Sequence, residues 1–450
     1  MSEILVIGGV AAGTSAASQA KRTNPSLDVT IIQQENFVSY GACGMPYVIG
    51  GVVEKFDNLI IRSVKEFEEK YHIKIIQNTM ATKIIPDKKT VHAKNILTGK
   101  EFSFNYDKLI IATGARAVKP PISGIDGNNV FSLRTLSDGL ELKENIDNKK
   151  SCILIGAGLV GLEMAEAFRK KDLNVTIIEM TDTILPKMIN EKFSKVLNQH
   201  LTENKITLRL GEKVVDIKDS VGGKIVKTDK GTVSGDFVLI GVGVRPNSEI
   251  AQNAGIKLGV AGAIKVDDHM MTNINDIFAA GDCTVAKNYI TGKESYLPLG
   301  TTANKQGRIA GQNAAGQNKS FRGIAGSAIT KAFDLYIGKT GLSTEEARQE
   351  GFNPIEKEIE GITRASYYPD KKPIWINLIA DKDSGRVLGA QIVGSEFVKA
   401  RIDEIALALL LGAKVEDIAN FDWCYVPPAS PVWDPLGIAA LQVSKGLLEK

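Results

Sequence analysis

Two stretches of this chain repeat one pattern, and that pattern restricts its fold more than any other feature. The first is Ile4-Leu5-Val6-Ile7-Gly8-Gly9-Val10-Ala11-Ala12-Gly13, then a small-residue helix, then Val29-Thr30-Ile31-Ile32-Gln33. The second is Ile153-Leu154-Ile155-Gly156-Ala157-Gly158-Leu159-Val160-Gly161, then a helix through Lys170, then Val175-Thr176-Ile177-Ile178-Glu179. In both, an apolar strand runs into glycines that open a helix, so backbone N–H groups and the helix dipole face a pyrophosphate. The second carries the full GxGxxG spacing and an acid, Glu179, about 20 residues on, where a ribose hydroxyl would sit. In the first, Val10 replaces the middle glycine and Gln33 replaces the acid. A single loose glycine loop is often only a tight turn, but two strand–loop–helix–strand repeats predict two doubly wound halves.

The rest of the chain is organised around these repeats. Leu109-Ile110-Ile111-Ala112-Thr113-Gly114-Ala115 and Ile277-Phe278-Ala279-Ala280-Gly281-Asp282 each read as a buried strand ending in a small-residue turn. Val118 to Pro121 and Arg245-Pro246-Asn247 carry turn residues at plausible crossovers between the halves. Gly300 to Gly316 reads as a small-residue helix. From about Ser327 strands without glycine loops are expected at Ala328 to Phe333, Tyr367-Tyr368, Trp375 to Ala380 and Gly389 to Val393. An amphipathic helix follows, with Ile402, Ile405, Leu409 and Leu410 at helical spacing.

Composition removes several classes. A length of 450 residues suggests roughly three domains. The net charge of +3 is too small to argue for nucleic acid or an anionic membrane. The longest apolar run, Ile405 to Ala413, is far short of a membrane span. Met1-Ser2-Glu3 enters the first strand without the basic start of a secretory leader. Cys43, Cys152, Cys283 and Cys424 lie far apart, which fits neither a disulfide framework nor a metal site and predicts a reducing, cytoplasmic setting.

One of those cysteines stands in Ser39-Tyr40-Gly41-Ala42-Cys43-Gly44-Met45-Pro46-Tyr47. Small neighbours let a flat ring or a thin thioester-like arm approach the sulfur. Gly44 and Pro46 suit a turn into a helix start, where the dipole favours a thiolate. A buried structural cysteine fits the same residues, and taken alone they leave both readings open.

Together these features resemble the single-cysteine branch of the flavoprotein disulfide reductases, which holds coenzyme A-disulfide reductases, CoA-persulfide or sulfur reductases, NADH oxidases and NADH peroxidases. The resemblance covers essentially the whole chain and is most specific at Gly8 to Gly13, Ser39 to Tyr47, Gly156 to Gly161, Gly281-Asp282 and Tyr425 to Trp433. It implies an α/β fold with two Rossmann-like dinucleotide-binding domains and a C-terminal α+β dimerisation domain. The FAD domain would be discontinuous, 1–117 and 247–325, around an NAD(P) domain at 118–246, with dimerisation by 326–450. The FAD contacts it implies are Gly8, Val10, Ala11, Ala12, Gly13, Gln33, Ala81, Ala112, Thr113, Gly114, Arg134, Gly281, Asp282 and Ala303. For NAD they are Gly156, Gly158, Leu159, Val160, Gly161, Glu163, Glu179 and Gly243, and for CoA they are Gln19, Arg22, Ser39, Lys305 and Trp433.

The same resemblance makes Cys43, Tyr367 and Tyr425 catalytic, in a homodimer where Tyr425 reaches the partner's Cys43. NADH is expected as donor, with NADPH as the alternative, and CoA as substrate or mixed-disulfide ligand. Relatives with a second redox cysteine need it where this chain has Val48, so oxidised Cys43 must pair with an external thiol or stop at sulfenic acid. The histidine that supports sulfenic acid in the peroxidases is replaced by Ala11, and the asparagine that can precede the cysteine is replaced by Ala42. The implied activity is reduction of CoA disulfide or CoA persulfide through a Cys43–S–S–CoA mixed disulfide, with polysulfide and O₂ as the other small-molecule acceptors the resemblance leaves open. The alternatives are an NADH oxidase working through Cys43 sulfenic acid and a non-enzymatic redox sensor.

Overall fold

A computed structural model describes residues 3–448 of the chain. Met1 and Ser2, part of the argument against a leader, lie outside the described residues. The first glycine repeat builds a five-stranded parallel sheet in the order Ile277–Ala279, Lys108–Ile111, Glu3–Ile7, Asp28–Ile32, Lys74–Ile76. Successive side chains of these strands enter two different cores. Val6, Ile31, Ile110 and Phe278 pack on one face, and Leu5, Ile32, Leu109 and Ile277 on the other. Burial on both faces explains why these strands read as unbroken apolar runs. The central strand Glu3–Ile7 has neighbours reached in opposite directions along the sheet. The crevice at its carboxyl end, where Gly8 begins, is therefore the place where such sheets bind ligands.

The second repeat builds an equivalent parallel sheet, Ile206–Leu210, Asn174–Glu179, Ser151–Ile155, Phe237–Ile240, Val130–Ser132. Where the chain passes between the two sheets, Ala115–Ala117 and Val244–Pro246 pair antiparallel. Asn247 closes this crossover: its N–H donates to the Gly114 carbonyl (2.9 Å) and its side-chain amide to the Thr113 carbonyl (3.0 Å). The expected crossover at Arg245-Pro246-Asn247 thus coincides with a paired ribbon.

The C-terminal part is a five-stranded antiparallel sheet, Ala328–Ala332, Leu335–Gly341, Val387–Gly394, Pro373–Asp381, Pro354–Ile362, covered by the helices Val398–Leu411 and Pro435–Leu448. It differs from expectation in three places. The strands Leu335–Gly341 and Pro354–Ile362 were not expected, because Lys339, Glu356 and Glu358 interrupt their apolar pattern. Tyr367-Tyr368 is not a strand but a turn, closed by Tyr368 N–H to the Ala365 carbonyl (2.9 Å) and followed by Pro369. On the helix Val398–Leu411, Ile402, Ile405 and Leu409 are buried, whereas Leu410 is exposed with Leu407 and Leu411. That helix therefore carries two apolar faces, and one of them is uncovered in the single chain. Among the described residues no helix is long and apolar enough to cross a membrane.

Candidate functional site

Both glycine loops are held by the same contact. At the end of its second strand, the Gln33 side-chain oxygen accepts the N–H of Gly9 (2.7 Å), and the Glu179 carboxylate accepts the N–H of Ala157 (2.8 Å). Gln33 therefore takes the structural place of the acid as well as its place in sequence. The tight turn explains the last glycine of each loop. A Cβ on Gly13 would stand 1.8 Å from the Gly8 carbonyl oxygen, and one on Gly161 2.2 Å from that of Gly156. Val10 and Gly158 both sit at N-caps with negative φ, so a valine is accommodated where the spacing would ask for glycine.

The helices that follow, Ala11–Thr23 and Leu159–Lys170, receive no side-chain cap and carry no acid in their first turns. Gly300–Ala314 and Val398–Leu411 are also uncapped, whereas the helices after Ser63, Thr135, Asn190 and Ser343 are each capped by that residue's side chain. N-terminal N–H groups without protein partners suit an external anion, so both loops fit the pyrophosphate of a dinucleotide.

Around the first loop the expected residues converge. A Cβ on Gly281 would meet Ala12 at 2.7 Å and Ala303 at 3.6 Å, which places all three together. Asp282 forms an ion pair with Arg134 (2.5 Å), whose Nε also donates to the Ala115 carbonyl (2.9 Å). Thr113 Oγ1 donates to the Asn247 carbonyl (2.6 Å), which commits this hydroxyl to the crossover. Ala81 lies on the strand Thr79–Ile85, which starts where the Thr79 N–H donates to the Gln33 carbonyl (2.8 Å). Gly243 has a positive φ, and its carbonyl accepts the Val118 N–H (2.9 Å). Two residues that sequence reasoning did not single out brace the region. Gln306, buried, accepts the N–H of Gly281 (2.9 Å), and Tyr296 Oη donates to the Asp282 carbonyl (2.9 Å). Gln306 is one of several polar residues in its helix, and nothing in the pattern sets it apart from Asn304, Lys305 or Gln312.

Cys43 lies in the short 3-10 turn Ala42–Gly44 before the five-residue helix Met45–Ile49. Cys152 and Cys283 are buried, whereas Cys43 and Cys424 are exposed, and all four thiols are free. Val48, at the place of a second redox cysteine, is buried. The expected depression of the Cys43 thiol is not met by the protein's own groups. Although Cys43 is exposed at the surface, desolvation by the protein packed around its thiol pushes the pKa above the usual cysteine range, Glu163 adds to the rise, Arg134 opposes it and Asp282 adds again. Glu163 accepts from Thr330 Oγ1 (3.1 Å), and burial holds its own carboxyl above the usual range. Expected as a nucleotide contact, Glu163 thus also stands beside the cysteine turn. Its neighbour Glu166, three residues on, is fixed by Lys331 Nζ, Lys170 Nζ and the Phe333 N–H, each at 2.9 Å.

Of the expected CoA contacts, Gln19 and exposed Arg22 lie on the helix Ala11–Thr23, and exposed Lys305 lies on the adjacent helix Gly300–Ala314. Ser15 Oγ and Asn304 Oδ1 join these helices at 2.6 Å. Ser39 is buried with φ +48°, a strained conformation for a side-chain-bearing residue, and its N–H donates to the Gly9 carbonyl (2.9 Å). That bond ties the cysteine segment to the first glycine loop. Trp433, Tyr367 and Tyr425 are exposed on the C-terminal part, where the two tyrosines meet each other.

Comparison with known proteins agrees with this geometry. A family described as pyridine nucleotide-disulphide oxidoreductase matches residues 2–307, and its dimerisation domain matches residues 327–435. The chain belongs to the pyridine nucleotide-disulphide oxidoreductase family and is a flavoprotein oxidoreductase of NAD(P)H. It is 36% identical to an NADH oxidase of Methanocaldococcus jannaschii, across 99% of both chains. It is also 36% identical to a CoA-dependent NAD(P)H sulfur oxidoreductase of Pyrococcus furiosus, across 97% of this chain and 98% of the other. Among solved structures, an NAD-dependent persulfide reductase from A. fulgidus superimposes with a TM-score of 0.96 at 36% identity, covering 99% of this chain and 83% of that one.

Proposed function

We propose that this protein reduces coenzyme A disulfide or CoA persulfide with NADH, using Cys43 as its only redox-active thiol. The observation that carries this reading is an exposed Cys43, tied through Ser39 to the first glycine loop, with buried Val48 where an internal partner thiol would stand. A disulfide at Cys43 must then be made with an external thiol.

In this reading FAD is held by the loop Gly8 to Gly13, Gln33, the Ala12–Gly281–Ala303 contact and Asp282, and NADH by the loop Gly156 to Gly161 and Glu179. Bound FAD supplies the two-electron relay between nicotinamide and disulfide. The Cys43 thiolate attacks one sulfur of CoA disulfide, forming Cys43–S–S–CoA and releasing one CoA thiolate. Two electrons then break the mixed disulfide, release the second CoA and restore the thiolate. Desolvation and Glu163 oppose that thiolate, and Arg134 favours it.

The uncovered Leu407, Leu410 and Leu411 face supports a homodimer, as does the dimerisation-domain match. In such a dimer Tyr425 would serve the partner's Cys43. The free state of all four cysteines suits a reducing, cytoplasmic setting. The similarity to an NADH oxidase favours a second reading, in which O₂ is the acceptor and Cys43 cycles through sulfenic acid. Anaerobic NADH consumption with CoA disulfide or CoA persulfide, against consumption in air without either, separates the two. Turnover confined to the aerated sample would overturn the first reading.

A further inference from the structure

The antiparallel C-terminal sheet carries a polar row across four strands. Lys339 pairs with Gln391, Gln391 with Asn377, and Asn377 with Glu358, each directly opposite the next in register. Side chains directly opposite one another share a face. Lys339, Gln391 and Asn377 are buried, at 7%, 4% and 0% exposure. A lysine is almost never buried without a partner, so a buried polar row needs an explanation.

Asn377 donates to Glu356 within the same sheet (2.8 Å), but Lys339, Gln391 and Glu358 also reach the segment leaving the second nucleotide-type sheet. Lys339 Nζ donates to the Lys187 carbonyl (2.9 Å) and to Glu346 (2.7 Å). Gln391 Oε1 accepts the Asn190 N–H (2.8 Å). Glu358 accepts from the Asn190 side chain and pairs with Lys192 (2.9 Å). The same segment begins at Glu179. The Glu179 carboxylate accepts the Thr181 N–H (3.0 Å), and Thr181 Oγ1 reaches the Thr183 carbonyl (2.9 Å). Further along, the Leu185 N–H returns to the Ala157 carbonyl in the glycine loop (3.3 Å). One end of this segment thus carries the ribose-facing carboxylate, and the other is seated on the C-terminal sheet.

We propose that Lys339 and Gln391 are positioning residues for the pyridine nucleotide: their row fixes the 180–190 segment and, through it, the pose of Glu179. The proposal rests on the reading of Glu179 as the ribose partner. Buried Ile184, Leu185, Met188 and Ile189 anchor the segment, and the polar row adds a fixed position at its far end; any ordering left to the ligand would weaken binding.

The test is calorimetric titration of the flavin-loaded protein with NAD⁺, alongside steady-state kinetics. Lys339→Met is expected to weaken NAD⁺ about tenfold, the scale of one charge-assisted hydrogen bond. KM for NADH should rise by a similar factor while kcat falls less, and Lys339→Arg should recover part of the loss. Gln391→Ala gives an independent variant should Lys339→Met fail to fold, with a smaller loss expected. Glu179→Gln is the control arm. If Glu179→Gln weakens NAD⁺ binding and folded Lys339 and Gln391 variants do not, the positioning role is wrong and the ribose reading stands. If Glu179→Gln leaves binding unchanged, the ribose reading fails and this proposal falls with it.

Discussion

The hydroxyls of Tyr367 and Tyr425 lie 2.8 Å apart, joining two exposed segments of the C-terminal part. A backbone bond braces the same junction, from the Ala365 N–H to the Pro427 carbonyl (3.0 Å). The hydrogen bond shared with Tyr367 moves the Tyr425 phenol further above neutral pH, where it bears its proton. A donor aimed at a departing CoA thiolate contributes mainly in the transition state. Tyr425→Phe is therefore expected to lower kcat for CoA disulfide by about tenfold or more with little change in KM. Tyr367→Phe should cost less. Subunit mixing tests action in trans: heterodimers of Cys43→Ser and Tyr425→Phe chains should regain activity above both parents. Heterodimers no better than the parents would show that Tyr425 does not serve the partner subunit.

The pH dependence of Cys43 has a definite sign. Burial comes first among the causes that raise its thiol, and the Glu163 charge second. A nearby anion disfavours a thiolate, so Glu163→Gln should move Cys43 deprotonation to lower pH. Iodoacetamide labelling of the flavin-loaded protein as a function of pH reads this directly. An unchanged or higher midpoint in the variant would contradict the arrangement of charges described.

Glu179 has a carboxylate on which both oxygens are engaged, by the Ala157 and Thr181 N–H groups. A second anion, such as the 2′-phosphate of NADPH, would meet that charge. NADH should be preferred, and Glu179→Gln should narrow the ratio of kcat/KM for NADH over NADPH. A wild-type preference for NADPH would sink this assignment.

Arg401 and Asp434 form a buried bidentate ion pair at 4% and 7% exposure. Ser430 Oγ (3.1 Å) and the Leu436 N–H (2.8 Å) also donate to Asp434, so the pair closes off the irregular segment that contains Tyr425 and Trp433. Arg401→Ala leaves a buried carboxylate without its partner and should cost about 3–5 kcal/mol in urea unfolding. A loss near zero would mean the pair is dispensable for stability.

Both nucleotide-type sheets were legible because a buried parallel strand running into glycines has few other uses. The Gln33 and Glu179 positions followed from the same repeat, and the structure gives them equivalent loop-holding bonds. The C-terminal sheet was less legible for a physical reason. Lys339 and Glu358 spoil the apolar alternation of their strands because they face the 187–192 segment, a contact made far along the chain. Tyr367-Tyr368 has strand-like composition, but the turn closed onto Ala365 overrides it. For Cys43, the helix-start pattern says nothing of the desolvation of the thiol or of the charges of Glu163, Arg134 and Asp282, which only the folded chain brings near.

The central claim is that Cys43 carries the substrate as a mixed disulfide. The most direct measurement is peptide mass spectrometry of the NADH-reduced, NADH-depleted protein after anaerobic addition of CoA disulfide. The expected result is one CoA on the peptide containing Cys43, released when NADH is added again and absent from the Cys43→Ser variant. A Cys43 peptide that never carries CoA, or a CoA adduct that NADH does not remove, would contradict the account.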